Sequence, residues 1–222
     1  LKKLLEKNGL NSNNVSIKTM HASYYQVLKK FGYINKVNNN SRMKYIIEIC
    51  RELKLRLENE ELESLESLLS YQVNNLLSDG DLVKSYVYTL DTVSLEQYTA
   101  IRNGVNRKKK ENNEVDFDDL QLFMYMLLVK NNNQDILNYC NNIWEYFYID
   151  ESQDISKIQF EILRAIAKDS NKLVMIGDDD QSIYTWRGAD PNILLNICGY
   201  YDIDKFILST NYRCKSNIVN PA

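Results

Sequence analysis

Two adjacent carboxylates at the end of an apolar run are the first residues whose types and spacing suit chemistry. The run is Trp144–Ile149, and Asp150 and Glu151 follow it in Tyr146-Phe147-Tyr148-Ile149-Asp150-Glu151-Ser152-Gln153-Asp154. Neighbouring strand positions normally point to opposite faces, but the turn at a strand end lets both side chains reach one site. Nucleotide hydrolysis needs such a pair: one carboxylate to hold Mg²⁺, usually through water, and one to orient and polarise the attacking water. Alone, acidic residues at a strand end are common and imply little.

A second segment changes that weighting. The apolar run Lys172–Ile176 leads into Gly177-Asp178-Asp179-Asp180-Gln181-Ser182-Ile183-Tyr184-Thr185-Trp186-Arg187-Gly188-Ala189. Gly177 permits a sharp turn, and Gln181 offers both a donor and an acceptor to a phosphate oxygen. Tyr184, Trp186 and Arg187 then bring two flat π-faces and a planar cation together in a loop. Stacking an unpaired base on an aromatic face is worth about 1–3 kcal/mol and needs no sequence readout. A third segment, Leu208-Ser209-Thr210-Asn211-Tyr212-Arg213, ends the last apolar run with an Arg, which by itself fits a surface ion pair equally well.

The elements that must position these groups are four apolar runs read as strands: Val15–Met20, Trp144–Ile149, Lys172–Ile176 and Lys205–Leu208. Continuous runs of this kind suit parallel strands buried on both faces. Helical patterns follow the first three. Ser23-x-x-Gln26 and Ser156-x-x-Gln159 match the capping-box spacing, and Asp190-Pro191 is an N-cap followed by Pro at the first helical position, with Gly199 as that helix's stop. Such strand–loop–helix units imply an α/β sheet with active groups at the carboxyl ends of its strands. From Asn35 to Glu114 the character changes, and aliphatic residues from Ile46 to Leu77 recur at helical spacing. The interruption at Ser78-Asp79-Gly80-Asp81 favours an inserted helical subdomain over a coiled-coil seam. Arg107-Lys108-Lys109-Lys110 with Glu111-Asn112-Asn113 reads as a solvated loop, with phosphate binding the lesser reading.

Composition bounds the rest. The 222 residues carry 27 Lys+Arg against 30 Asp+Glu, a formal charge of −3, and are 44% hydrophobic, enough for a core and against a disordered chain. Seven Gly and two Pro are few for an all-β protein. Cys50, Cys140, Cys198 and Cys214 form no CxxC pair, which fits reduced thiols in a cytoplasmic protein better than a zinc site or disulfide framework. In that compartment the glycosylation-like Asn39–Ser41 match means nothing. No apolar run approaches the roughly 18 residues of a membrane span, and no signal-peptide pattern is seen. The mildly acidic balance argues against sequence-blind coating of nucleic acid and leaves room for a local groove. The chain opens with Leu1 and closes on Pro221-Ala222 just after a motif, as a piece of a longer protein would.

Together the three segments resemble the UvrD/PcrA/Rep-type superfamily 1 DNA helicases, motors that move along single-stranded DNA by hydrolysing ATP. Ile149–Asp154 (IDESQD) is similar to that family's Walker B motif, Gly177–Ala189 to its motif III, and Asn211-Tyr212-Arg213 to motif IV. Thr19–Ala22 (TMHA) is like motif Ib, and Val115–Leu120 (VDFDDL) matches the stretch where a helical insertion rejoins the motor core. Order and spacing agree over essentially the whole chain, and motif III is highly specific.

The resemblance implies a RecA-like, parallel-sheet P-loop NTPase motor domain, incomplete here, with an inserted helical subdomain. Residues 1–34 would begin the motor domain, 35–114 would be the insertion, and 115–222 would continue the motor to its junction with a second one. By matching position, Asp150 would coordinate Mg²⁺ with Glu151 beside it, and Glu151 would be the base toward water. Gln181 would sense the γ-phosphate of ATP, Arg213 would be an arginine finger, and Tyr212 would stack on adenine. Tyr184, Trp186 and Arg187, with Thr19 and His21 further along, would contact single-stranded DNA. The sole histidine, His21, suits a hydrogen-bonding, uncharged role. Single strands, single/double-strand junctions and a protein loading partner are the implied partners, with 3′-to-5′ movement in repair or replication restart.

Two local departures are Met20 where the family has Phe, and Ser152 where it has an aromatic. The large one is that nothing here matches G-x-x-x-x-G-K-[ST]. Without that phosphate cradle, the chain alone is expected neither to hydrolyse ATP usefully nor to unwind DNA, and to present an exposed or rearranged sheet edge with marginal stability. Competing readings are a two-metal nuclease or phosphohydrolase built on Asp150, Glu151, Asp154 and Asp178–Asp180, a non-catalytic module binding single-stranded DNA or protein, and the helicase part of an AddA/RecB-like helicase–nuclease.

Overall fold

Amphipathic helices dominate the computed structural model, which describes residues 2–9, 11–38, 41–84, 92–167 and 172–215. Leu1, Asn39 and the Pro221-Ala222 end lie outside the described residues. The helices are α1 Lys2–Lys7, α2 Met20–Lys30, α3 Ser41–Glu52, α4 Asn59–Asn74, α5 Asp79–Lys84, α6 Leu95–Glu111, α7 Phe117–Tyr125, α8 Gln134–Ile143, α9 Lys157–Ile166, α10 Pro191–Leu195 and α11 Ile197–Tyr200. Strands β1 (Phe147–Ile149) and β2 (Leu173–Met175) pair in parallel, with Phe147 opposite Leu173 and Ile149 opposite Met175. No described helix is long and apolar enough to cross a membrane.

Burial divides the apolar side chains among three clusters. Tyr24, Val27 and Leu28 of α2 pack with Leu120 and Met124 of α7, with Ile136 and Cys140 of α8, and with α9. Tyr45, Ile46 and Ile49 of α3, Leu65 and Leu68 of α4, and Tyr98 and Ile101 of α6 close a second cluster among themselves. The third joins Leu173 of β2 to Ile193, Ile197 and Tyr201. Helix α9 is apolar on two faces. Ile158, Ile162 and Ile166 meet the first cluster, while Phe160, Leu163 and Ala167 meet the third. Two sets of residues at helical spacing therefore make α9 a wall shared by both cores.

The second cluster leaves and rejoins the rest at neighbouring points. Val37 bridges Val115 in parallel, and Asn38 N–H donates to Val115 O at 2.8 Å. Beside them Asp116, fully buried, takes Arg42 Nη2 at 2.7 Å and Lys109 Nζ at 3.0 Å. Arg42 also pairs with Asp118 at 2.5 Å. Asp116 and Asp119 exchange hydrogen bonds as the capping box of α7. Burial opposes the charge on Asp116, but Arg42 and Lys109 outweigh it and hold the carboxyl below its ordinary range.

Several sequence expectations change here. Residues 15–19 join no strand, because no described strand offers their backbone a ladder; Val15 N–H turns instead to Ser12 O at 3.1 Å. Helix α2 begins at Met20 rather than at Ser23: the Thr19 hydroxyl accepts Ala22 N–H at 3.2 Å as its cap, and Gln26 takes Lys18 Nζ. Lys205–Leu208 also forms no strand, and Phe206, Ile207 and Leu208 stand in solvent for the same lack of a paired neighbour. Gly199 lies inside α11, while Asn196 caps α10. The basic run 107–110 is the last turn of α6 and not a loop. Lys108 pairs with Glu48 and Glu52 at 2.9 and 3.1 Å, Lys109 is buried on Asp116 and Asp119, and the cations suit a helix carboxyl end. Elsewhere the reading holds: Gln159 accepts from Ser156 N–H at 3.2 Å, and Asp190 caps α10 with Pro191 at its first position.

Candidate active site and nucleic-acid face

The two strands end side by side, and the ladder continues past them with one residue left over. Ile176 N–H donates to Ile149 O at 2.8 Å, and Ile176 O accepts from Ser152 N–H at 2.8 Å, so Glu151 is skipped. Glu151 takes a left-handed conformation, φ 52°, which costs a non-glycine residue roughly 1–2 kcal/mol. That kink puts the carboxylates of Asp150 and Glu151 in solvent at the strand ends while Ser152 and Gln153 turn inward and are buried. Ser152 Oγ then donates to Ile149 O at 2.9 Å.

Gln153 links the two strand ends. Its Nε2 donates to Glu151 Oε2 at 2.8 Å, and its Oε1 accepts from Asp178 N–H at 3.1 Å. Ser182 Oγ reaches Gln153 O at 3.4 Å. Gly177 makes this approach feasible, since a Cβ there would lie 2.6 Å from Gln153 Oε1 and 3.1 Å from Ser152 N. The following turn, Asp179–Gln181, is capped by Asp178, whose Oδ2 accepts from Gln181 Nε2 at 2.5 Å. Asp150, Glu151 and Gln181 are thus brought to one edge through Gln153 and Asp178. Asp154 Oδ1 is buried without a partner among the described residues, and burial together with the Glu151 charge pushes its carboxyl up.

Tyr212 and Arg213 lie in the exposed segment after residue 204. Asn211 Oδ1 accepts both Arg213 and Cys214 N–H at 2.9 Å in a tight turn, and no ion pair engages the Arg213 guanidinium among the described residues. The structure does not tie either residue to the strand ends. Among the described residues no three His, Cys, Asp or Glu side chains gather into a metal-holding group.

The aromatic residues of the second segment sit on a short turn, Thr185–Arg187, that ends at Gly188 with φ 96°. This turn presses on the end of α4: a Cβ at Gly188 would come within 2.6 Å of Asn74 Cβ. Tyr184 and Trp186 remain 40% and 50% exposed, large faces for a helical turn so closely packed. The side chain of Arg187 is outside the described residues. Thr19 serves as the cap of α2, and His21, in that helix's first turn, has its ring 5.4 Å from Phe117 and 6.1 Å from Tyr24. Burial lowers the imidazole pKa, partly offset by Asp118.

Two residues of interest were not singled out from sequence. Gln153 is inside the IDESQD segment, but an amide in a run of acids carries no spacing signal of its own. Phe117, 46% exposed next to His21, stands inside VDFDDL, and an aromatic at the first position of a helix among acids was the available clue.

Comparison with known proteins covers most of the chain. Residues 1–202 match the model of the UvrD/REP helicase N-terminal domain. The chain is 28% identical over 216 residues to a probable DNA helicase II homolog of Mycoplasma capricolum, covering 92% of this chain and 29% of that protein. It is 27% identical over 219 residues to the ATP-dependent DNA helicase PcrA of Leuconostoc citreum, covering 95% and 28%. It is 30% identical over 224 residues to the ATP-dependent DNA helicase Rep of Buchnera aphidicola, covering 94% and 32%. The chain therefore spans less than a third of the length of these relatives, and within that span it belongs to the UvrD/REP helicase family, as its N-terminal domain.

Proposed function

We propose that the protein containing this chain is an ATP-dependent DNA helicase, and that this chain carries part of its ATP site and part of its single-strand track. The observation that supports this most is the Gln153 bridge, which sets the Glu151 carboxylate and the Gln181 turn against one another at the ends of two parallel strands. Glu151, exposed but oriented by Gln153, accepts a proton from the attacking water. Gln181, held by Asp178, senses the γ-phosphate. Asp150 and Glu151 are the oxygen donors suited to Mg²⁺, which when bound with ATP neutralises charge on the phosphates. Arg213 as the arginine finger and Tyr212 on adenine complete the site once the exposed segment is seated.

On the nucleic-acid side, Tyr184, Trp186 and Arg187 stack on bases and contact the backbone, and Thr19 and His21 hold the strand further along, with Phe117 beside His21. Residues 35–114 form the inserted helical subdomain between motor segments 1–34 and 115–222; its self-contained apolar cluster and the Val37–Val115 bridge support this. Movement 3′ to 5′, action at single/double-strand junctions, a role in repair or replication restart and a cytoplasmic setting belong to the same reading. The 222 residues contain no G-x-x-x-x-G-K-[ST], so the chain by itself is expected to be inactive.

The test is single-strand-stimulated ATP hydrolysis by the full-length gene product, wild type against Glu151→Gln. A DNA-dependent rate that collapses in the variant while DNA binding persists supports the motor. A rate absent in wild type, or indifferent to the substitution, overturns it in favour of a binding module.

A further inference from the structure

Charge is segregated along this acidic chain: between Glu6 and Glu48 there is no Asp or Glu. Of the cations in that stretch, Arg42 is engaged with Asp116 and Asp118, and Lys44 faces Glu48 at 3.9 Å. Lys18, Lys29 and Lys30 have no carboxylate partner among the described residues. They line one open concavity of about 570 Å³ together with Tyr25, Gln26 and Tyr139. Positions 18, 22, 25, 26 and 29 share one face of α2 and its approach, while Tyr24, Val27 and Leu28 bury the opposite face in the core. Lys18 Nζ donates to Gln26 Oε1, and Lys29 Nζ stands 5.5 Å from the centre of the Tyr25 ring. Each ammonium keeps further donors for an anion.

We propose that this groove is a second nucleic-acid contact, holding the phosphate backbone of a single strand through Lys18, Lys29 and Lys30, with Tyr25 and Tyr139 as stacking faces. The inference rests on the helicase reading above, because Thr19 and His21, the residues assigned there to the strand, adjoin the groove on the same helix. From Met20 to Lys30 α2 rises roughly 15 Å at 1.5 Å per residue, with Lys18 just before its start, enough for several phosphates. Cations interleaved with tyrosine rings suit a strand that carries both phosphates and flat bases. An acidic peptide would satisfy the charge and leave the rings without a matching face.

The test compares binding of an unstructured oligodeoxythymidine to the full-length protein across salt concentrations. Three proteins are used: wild type, Lys18→Gln/Lys29→Gln/Lys30→Gln, and a charge-matched control, Lys36→Gln/Lys54→Gln/Lys205→Gln, at exposed lysines outside the groove. Three phosphate contacts on a single strand contribute about 0.7 each, so the groove variant is expected to lose about 2 from the slope of log K against log salt, with the control near wild type. The oligonucleotide concentration for half-maximal ATPase stimulation should rise while the maximal rate stays unchanged. Equal slopes for both variants overturn the groove and leave the helicase reading standing. Binding of an acidic peptide lost in the groove variant, with oligonucleotide binding intact, overturns it in favour of a protein partner. No oligonucleotide binding by wild type overturns both.

Discussion

Val115–Leu120 and Ile149–Asp154 each set three acids just behind an aliphatic residue, VDFDDL in one and IDESQD in the other. In the first, the acids turn inward. Asp116 is fully buried, and its partners Arg42 and Lys109 come from other helices, Arg42 from 74 residues away. In the second, Asp150 and Glu151 face water and no cation reaches either carboxylate among the described residues. The difference is where the counter-charge comes from. A carboxylate already neutralised by Arg and Lys is fixed as structure, whereas a pair left open at a strand end stays free to take a metal ion, a water or a proton.

The sharpest way to break this comparison is to change both sides. Glu151→Gln in the full-length protein is expected to lower DNA-stimulated ATP hydrolysis by about 10²–10⁴-fold, the range for a lost general base, without moving the unfolding midpoint. Asp116→Ala should do the reverse. Leaving Arg42 and Lys109 buried without their shared partner is expected to cost about 3–5 kcal/mol in urea unfolding of the chain. If Asp116→Ala unfolds at the wild-type midpoint, the junction is not the electrostatic anchor its geometry indicates.

Gln153 tests the boundary between the two kinds of region, since it is buried yet touches Glu151. Gln153→Ala removes its hydrogen bonds to both strand ends and should cost about 1–3 kcal/mol of stability. It should also lower kcat in ATP hydrolysis with little change in KM, because what is lost is the orientation of the base. Gln153→Glu, which keeps the acceptor toward Asp178 N–H and repels Glu151, should lose more kcat than stability. A Gln153→Ala protein with full turnover would separate the two strand ends mechanically.

The smallest effect concerns His21. The folded-state pKa lies below the ordinary 6.5 because burial disfavours the charge. The unfolded chain then binds this proton more readily, so the group leaves stability untouched above about pH 6.5 and reduces it as pH falls below that value. As the chain holds one histidine, a single imidazole resonance reports it directly. Titration of that resonance at or above 6.5 would contradict the packing against Phe117 and Tyr24.

The same contrast explains what could be read from sequence. Strands β1 and β2 were legible because each apolar run is bounded by its own turn chemistry and packs alternate residues, Phe147, Ile149, Leu173 and Met175, against α9, α10 and α11; the expectation of burial on both faces fails, because Tyr148 and Val174 point the other way and stay 71% and 44% exposed. The acids at the end of β1 were legible as a local motif, because their place follows from the apolar run just before them. Val15–Met20 and Lys205–Leu208 were misread because a strand is a relation between two segments, and an apolar run alone does not say whether a neighbour is present. The run 107–110 was misread for a related reason: its counter-charges, Glu48, Glu52, Asp116 and Asp119, belong to α3 and to the start of α7, and without them four consecutive cations look solvated. Ser23-x-x-Gln26 lost to Thr19 because two hydroxyl residues four apart competed for one helix start, and the earlier one has the extended backbone of a cap.

The wall that α9 forms between two cores also sets an order of events during synthesis. The apolar cluster of α3, α4 and α6 is drawn from residues 45–105 alone, and only its ion pairs to Asp116, Asp118 and Asp119 wait for a few residues more. Val27 and Leu28 of α2, by contrast, wait for Ile158 and Ile162. At about 5–20 residues per second the ribosome takes on the order of ten seconds to deliver them. For that interval the nascent chain carries one finished helical knot and one uncovered apolar face, the surface a chaperone would be expected to shield.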